Sequence, residues 1–368
     1  MRGFGFFNQR ENFQAIPAGQ TIFEEGQAGA VMYVVIEGEV YITMQGKRIN
    51  HLKPGDIFGE MGLIEQGQRS ATATAVTDCI ILPINHEQFT ALVREQPDFA
   101  LQVMNYMSVR SRRMMTEELK LLRLEDELRI GREIQLSLLP ESCPVIPGWE
   151  FAAYYQPARM VGGDLYDFIP LPQDPARLNI VIADVTGKGV PAALFMALSR
   201  TVLRVESMYN QSPAEVLRSA NRYIVEDSRS RLFLSISLAT LDTSNGRLTF
   251  ANGGHDRPLW LRKSTGAIQP LTAAGLLLGV FPDIVLTNNE IEMAPGDYLI
   301  FYTDGVTEAQ NEQGDFFDQE RLRETITAGL GASAQQLLEA IVTAVEQFTG
   351  PTPQADDLTL VVVKRKEH

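Results

Sequence analysis

The sequence predicts a multidomain α+β chain: a small β-roll, a helical connector, then antiparallel sheets covered by helices. Three observations predict it. Short strand-like runs punctuated by glycines fill residues 1–97, a polar stretch almost free of glycine covers 98–140, and apolar runs alternate with helical patterns over 145–368. A chain of 368 residues usually holds two or more domains, and its 45% hydrophobic content is ample for their cores. The formal net charge of −14 argues against a nucleic-acid or anionic-membrane partner. Cys79 and Cys143 lie far apart, in no metal-ligand spacing, which suits free thiols in a reducing compartment. No apolar run approaches the roughly 20 residues of a membrane helix. The apolar part of the start, MRGFGFFNQREN, is too short for a secretory signal. A soluble cytoplasmic protein is expected.

In the first segment, strands of this length with regular turn signals predict a β-roll or small barrel. Gly38, Gly46 and Gly55 fit its turns. One loop stands apart, FGEMGLIEQGQRSATATA at residues 58–75. Its Gly-Glu pair opens one helical turn, whose backbone N–H groups favour an anion. Arg69 can close on a phosphate through charge-assisted bonds, and Glu60 can accept from a ribose hydroxyl. Alone, the pair also fits an ordinary surface turn. The surrounding pattern resembles the phosphate-binding cassette of cyclic-nucleotide-binding domains, matched by Phe58, Gly59, Glu60, Gly62, Leu63, Arg69, Ser70, Ala71 and Thr72. The resemblance implies that Glu60 holds the ribose 2′-hydroxyl and Arg69 the cyclic phosphate, with Gly59, Ser70 and Thr72 in the same site. The implied ligand is cAMP or cGMP, and Ser70 does not decide between them. Domains of this fold that bind other effectors, or nothing, also exist.

In the connector, Met107, Met114, Leu121 and Leu128 recur every seven residues, and Leu124 and Leu138 occupy part of a second row. This is a modest heptad seam. It fits a helix packed on its own domains or a parallel coiled-coil homodimer, and the dimer is favoured. Gly131 weakens the helix by about 1 kcal/mol relative to Ala, which suggests a bend there. Leu139-Pro140, Cys143-Pro144 and Pro147-Gly148 mark its end and a domain boundary.

The third segment reads as strands at 151–156, 165–171 and 178–185, helices at 189–209 and 213–227, and a hairpin of 232–241 with 247–251 around Asn245-Gly246. Ser212 before Pro213 is a helix start. A strand at 298–303, helices at 319–328 and 333–348, and a closing strand at 358–363 follow. Acidic residues stand at the ends of apolar runs: Asp164 and Asp167 in VGGDLYDF, Asp184 in IADVTGKG, Asp304 in FYTDGVTE, and Asp356-Asp357 in QADDLTLVVV. A lone Asp there is ordinarily a turn former. If the strand ends converge, two such charges about 4 Å apart repel by roughly 4 kcal/mol at an effective dielectric near 20. Cations must then intervene, and oxygen ligands select Mg²⁺ or Mn²⁺. A metal pair about 3.5–4 Å apart suits phosphate-ester hydrolysis by water. Asp184 is the expected bridging ligand, and the VTGKG turn exposes the Val185 carbonyl as another. Asp304 and Asp356 complete one metal, and Asp164 serves the other, directly or through water.

The ordered motifs VGGDLYDF, ADVTGKGVPAAL, ANGGHDRPL, LLLG, FYTDGVTEAQ and ADDLTLVVV are similar to those of the PPM metal-dependent serine/threonine phosphatases, in the branch of the sporulation-E and RsbU phosphatases. REIQLSLLP resembles the helix leading into that domain. The family implies an αββα sandwich, two Mn²⁺ or Mg²⁺ ions, and water attack on phosphoserine or phosphothreonine. It implies Asp184, Asp304 and Asp356 as core ligands with Asp164 beside them; only the first Asp of the Asp356-Asp357 pair aligns with the family ligand. Arg159, five positions before Asp164, is either a bidentate phosphate clamp or an exposed arginine. His255 is a proton donor or, preferably, a turn-stabilising residue. Asp167 binds metal or fixes its loop. VGGDLYD also shares Gly-Gly-Asp with diguanylate cyclases, but Leu165-Tyr166 replaces the residues they need. The expectation is a signalling phosphatase with catalytic residues Asp184 and Arg159, governed by a cyclic-nucleotide-type sensor. Its implied substrate is a phosphorylated anti-sigma-factor antagonist or similar regulator. The rival is a cyclic-nucleotide-responsive scaffold without turnover. A transcription factor is disfavoured, because no helix-turn-helix follows the connector.

Overall fold

The computed structural model describes residues 12–65, 67–95, 97–210, 212–227 and 232–367. It divides into two compact units, Met1–Leu121 and Leu122–His368. No described helix is long and apolar enough to cross a membrane.

The first unit holds eight strands: β1 Gln14–Ile16, β2 Thr21–Phe23, β3 Val31–Glu37, β4 Val40–Met44, β5 Lys47–Leu52, β6 Ile57–Phe58, β7 Thr72–Ala75 and β8 Cys79–Asn85. They form two antiparallel four-stranded sheets, ordered β1-β8-β3-β6 and β2-β7-β4-β5. Alternation decides which side is buried: Val40 and Ile42 of β4 point into a core with Val35, Leu52, Phe58, Ala73 and Ile81. The β4–β5 hairpin turns through Gln45 and Gly46, both at positive φ, as a two-residue hairpin turn of matching twist requires. Helices α1 Glu60–Glu65 and α2 His86–Glu95 belong to this unit as well, and α3 Pro97–Leu138 begins in it and ends within the bounds of the second unit. Phe99 and Val103 of α3 pack against Met32, Val34, Ile57 and Leu82. The helix runs unbroken through Gly131, so the expected interruption does not occur there. A penalty of about 1 kcal/mol is small for a helix of 42 residues.

The second unit carries β9 Trp149–Gln156, β10 Leu165–Leu171, β11 Asp174–Val185, β12 Leu234–Asp242, β13 Arg247–Gly253, β14 Leu259–Leu261, β15 Ile268–Pro270, β16 Asn289–Glu292, β17 Tyr298–Tyr302 and β18 Leu358–Arg365. These form two antiparallel five-stranded sheets, β10-β11-β12-β13-β16 and β15-β14-β17-β18-β9. Phe168, Ile180, Leu241 and Phe250 of the first meet Trp260, Leu299, Phe301 and Val361 of the second. The outer face of the first sheet is covered by α4 Val190–Tyr209 and α5 Pro213–Asp227. Beyond the short α6 Asp304–Thr307, α7 Asp318–Ala328 and α8 Ala334–Thr349 cover the second. Helix α8 opens with a capping box, Ser333 Oγ accepting from Gln336 N–H and the Gln336 side chain accepting from Ser333 N–H. The result is an αββα sandwich. Strands β14, β15 and β16 were not legible in the sequence, because runs of three or four residues are too short for periodicity to show.

Register puts the acidic stops at matching strand ends. Leu165 pairs with Ala183, so Asp164 and Asp184 leave the first sheet at the same end. Tyr302 pairs with Leu360, which does the same for Asp304 and the Asp356-Asp357 pair in the second sheet.

Asp167 is spent on the scaffold. Its buried carboxylate takes two hydrogen bonds from Arg204, at 2.6 and 2.7 Å. Arg200 Nε lies 3.0 Å away, an ion pair without hydrogen-bonding alignment. The cluster ties α4 to β10. Asp167→Asn leaves two guanidiniums facing an uncharged amide, and a loss of about 3 kcal/mol in unfolding free energy is expected. A urea midpoint equal to that of the unaltered chain would show that the ion pairs add nothing.

Candidate functional site

Asp184 and Asp304 line one cleft of about 480 Å³, together with Thr186, Ser235, His255 and Arg257. Asp356 faces a smaller hollow of about 210 Å³ beside Gly305 and Glu308. Asp164 lies behind them, only 1% exposed. Its Oδ2 accepts from the hydroxyls of Thr303 at 2.8 Å and Thr359 at 2.5 Å. These two threonines were missed by sequence reasoning. Their only signal is position, one residue before Asp304 and two after Asp357.

The carboxylates bear on one another. Burial first, then the charges of Asp184 and Asp357, holds Asp164 well above the usual carboxylate range. Asp184 is pushed up to about 7, by burial and then Asp304. Asp304 is pushed up to about 6, by burial and then Asp356. The charge opposing this is sparse: Lys188 Nζ reaches Asp356 Oδ2 at 2.9 Å and the Ala355 carbonyl at 2.6 Å. Among the described residues no three His, Cys, Asp or Glu side chains form a group that holds an ion by itself. A metal here needs backbone carbonyl or water oxygens besides the carboxylates. The donor set is all oxygen and its repulsion largely uncompensated, which fits a hard divalent cation. The Val185 carbonyl faces the same loop, 2.9 Å from where a Cβ on Gly163 would stand.

Asp357 holds the loop in place. Its Oδ1 accepts from Ala158 N–H at 2.8 Å, and its Oδ2 from Gly163 N–H at 2.6 Å and Asp164 N–H at 3.3 Å. The Gly-Gly pair follows from this crowding, since a Cβ on Gly162 would lie 2.3 Å from Asp357 Oδ2. Gln135 near the end of α3 closes on the same loop. Its amide donates to the Gly162 carbonyl at 2.6 Å and accepts from Gly162 N–H at 3.1 Å. Within REIQLSLLP nothing singled it out, because its partners lie 27 residues away.

Arg159 is exposed on the bend before this loop and makes no hydrogen bond or ion pair with another described residue. It does not line the Asp184–Asp304 cleft. His255 is buried and saturated. Its Nδ1 accepts from Ser235 Oγ at 2.7 Å and its Nε2–H donates to the Tyr302 carbonyl at 3.1 Å, the neutral tautomer consistent with both partners. Burial pushes its pKa down to about 4, so it carries no spare proton near neutrality. Two bonds with Asn252, 2.8 Å to His255 N–H and 2.9 Å to its carbonyl, fix the turn.

In the first unit the loop residues bond to other parts of the protein. Arg69 is buried; its Nη1 donates to the Gly59 carbonyl at 2.9 Å and its Nη2 to the Val31 carbonyl at 2.7 Å. Its guanidinium lies 4.2 Å from the centre of the Phe23 ring, and its Nε is buried without a partner. Gly59 is at positive φ, and a Cβ there would stand 2.7 Å from Arg69 Nη1. Glu60 is ion-paired with Arg110 of α3 at 2.8 Å. Ser70 is exposed, and Thr72 Oγ1 accepts from Glu25 N–H at 2.9 Å. The orphan Arg69 donor fits an anion, and Glu60, with one carboxylate oxygen on Arg110, has a second that can accept from a hydroxyl.

His255 gives a pH signature. The unfolded histidine titrates near 6.5 and the folded one near 4, so the unfolded chain binds the extra proton between those values. Stability therefore falls as pH drops from about 6.5 to 4, by about 3 kcal/mol from this residue. His255→Gln is expected to lack that slope when urea midpoints of the two proteins are compared across the range. Parallel curves would refute the assignment.

A family model described as stage II sporulation protein E (SpoIIE) matches residues 174–366, more than half of the chain. A cyclic nucleotide-binding domain model matches residues 13–96. Protein IcfG of Synechocystis sp. is 35% identical over 266 residues, covering 65% of this chain and 41% of its own length. The chain thus spans less than half of that relative. Phosphoserine phosphatase RsbU of Bacillus subtilis is 28% identical over 274 residues, 73% of this chain and 79% of RsbU. The solved SiaA-PP2C domain of Pseudomonas aeruginosa superposes with a TM-score of 0.59 at 23% identity, covering 67% of this chain and 98% of that one; it speaks for the fold. The chain belongs to the SpoIIE family, with a cyclic nucleotide-binding domain in its N-terminal part.

Proposed function

We propose that the chain is a metal-dependent phosphoprotein phosphatase acting on phosphoserine or phosphothreonine of a small regulatory protein, such as a phosphorylated anti-sigma-factor antagonist. One observation carries the reading: Asp164, Asp184 and Asp304 are gathered at one end of the sandwich with their acidities suppressed by burial and by neighbouring carboxylates. The name of RsbU, a phosphoserine phosphatase, agrees with it. Asp164, Asp184, Asp304, Asp356 and the Val185 carbonyl would hold two Mn²⁺ or Mg²⁺ ions. Such a pair, when bound, supplies an activated water and neutralises phosphoryl oxygens. The protein's part is to fix the ligands. Thr303 and Thr359 orient Asp164, and Asp357 with Gln135 pins the loop that carries it. Arg159, free on the adjoining bend, is the arm proposed to engage the substrate phosphate. Asp184→Asn is expected to lose Mn²⁺ binding in calorimetry and nearly all turnover of p-nitrophenyl phosphate while keeping the circular dichroism of the unaltered chain. Full turnover in that variant would overturn the bridging role.

The same proposal gives the first unit the role of a sensor for cAMP or cGMP, in a homodimer joined through α3. Met114 and Leu121, on the heptad row, are 62% and 63% exposed in the single chain, which leaves apolar surface for a second copy. Nucleotide bound at Glu60 would touch the residue that pairs with Arg110, which gives it a direct line to α3. Moving a population from mostly one state to mostly the other takes about 5.5 kcal/mol of preference between states. Saturating cAMP or cGMP is expected to change turnover several-fold in the dimeric chain, and Met114→Glu with Leu121→Glu to remove both dimer and response. Equal rates with and without either nucleotide reject the sensor role, and a monomer in sedimentation of the unaltered chain rejects the dimer.

A further inference from the structure

The Asp184–Asp304 cleft has a second, cationic part. Arg257, between β13 and β14, and Arg323, on α7, both line it, with Gln319 beside Arg323. Arg257 is exposed and makes no hydrogen bond or ion pair with another described residue. Arg323 is half-buried, and its one hydrogen bond, Nη1 to the Ile268 carbonyl, is long at 3.4 Å. Both share that lining with Tyr302. Asp256 also lines the cleft but forms no ion pair with either; the charge felt most by its carboxyl, after burial, is another carboxylate, Glu308. Two guanidiniums from separate elements, neither in an ion pair with a described residue, therefore face the same space as the acidic edge. This stands out in a chain of net charge −14.

The planar fork of arginine suits a carboxylate or a phosphate, each held by paired hydrogen bonds. A cleft of about 480 Å³ lies in the range of roughly 300–1,000 Å³ that takes a ligand of many atoms, so a phosphoryl group need not fill it. We infer that Arg257 and Arg323 read an Asp or Glu side chain flanking the phosphorylated residue, making the enzyme selective for acidic substrate segments. The inference rests on the phosphatase reading and names its substrate class. Asp184 and Asp304 define the reacting end of the cleft; the two arginines define which neighbours the phosphoserine has.

The test uses the full chain with Mn²⁺ and two phosphoserine peptides differing only in flanking residues, glutamates in one and lysines in the other. The expected kcat/KM ratio favours the acidic peptide by about tenfold or more, the scale of one charge-assisted hydrogen bond. In Arg257→Glu/Arg323→Glu the ratio is expected to collapse or reverse, through KM rather than kcat. The single variants Arg257→Gln and Arg323→Gln give the same reading, by smaller steps, should the double variant fail to fold. No preference in the unaltered chain, or a preference that survives these changes, overturns the inference. So does a loss of p-nitrophenyl phosphate turnover as large as the peptide loss with peptide preference intact, which would assign the guanidiniums to the phosphoryl group. If the unaltered chain hydrolyses neither peptide nor p-nitrophenyl phosphate, the phosphatase reading itself fails and carries this inference with it.

Discussion

Like charges buried together are the constraint on which the second unit depends. Asp164, Asp184 and Asp304 resist ionisation because burial and one another's charges oppose it. Folding tolerates this only because the rest of the chain holds the strand ends rigidly. Nine successive residue pairs register β11 against β12, and five register β17 against β18. Apolar faces on both sides of each sheet make a slip costly, since moving one strand by a single residue would turn its whole buried face to water. Sheet packing thus supplies what the acidic end consumes. On the proposed reading a divalent ion would supply the rest, by taking the charge that neither Lys188 nor the threonine hydroxyls neutralise.

Several features that look catalytic in the sequence are supports. Asp167 shares a motif with Asp164, yet alternation along β10 sends it to the opposite face, where Arg200 and Arg204 meet it. Asp357 is adjacent to Asp356, yet three backbone N–H groups occupy its oxygens. His255 sits in a motif that invites a proton-transfer role, but both ring nitrogens are taken and burial keeps the ring neutral. In each case an acidic or basic residue type marked the region, while its hydrogen-bond partners decided its job.

The layered fold and the acidic strand ends were legible because they are written in local pattern. Long apolar runs, the Asn245-Gly246 turn and the Ser212-Pro213 start each report through neighbours only a few positions away. What stayed hidden depends on distant partners. Thr359 meets Asp164 across 195 positions, and the inward turn of Arg69 depends on the Val31 carbonyl 38 positions back. The cassette pattern drew attention to Arg69, but not to the two backbone carbonyls its guanidinium bonds or the Phe23 ring it stacks on. The pairing of Glu60 with Arg110 was equally out of reach, since 50 positions separate the two.

The Gln135 contacts bound what the last turns of α3 can do to the loop that carries Asp164. Two hydrogen bonds join its amide to the Gly162 peptide group, and Gln135 is only 5% exposed. Each buried hydrogen bond is worth about 1 kcal/mol net, and more when its loss leaves a partner unsatisfied. Breaking both would therefore alter the loop by roughly 2–4 kcal/mol, a factor of about thirty to a thousand in its equilibrium. That reaches below the roughly 5.5 kcal/mol of a nearly complete switch. Control through this contact alone would grade activity rather than abolish it. A sharper response needs further contacts that change together, and the Asp357 bonds to Gly163 and Asp164 are the ones already bound to the same loop.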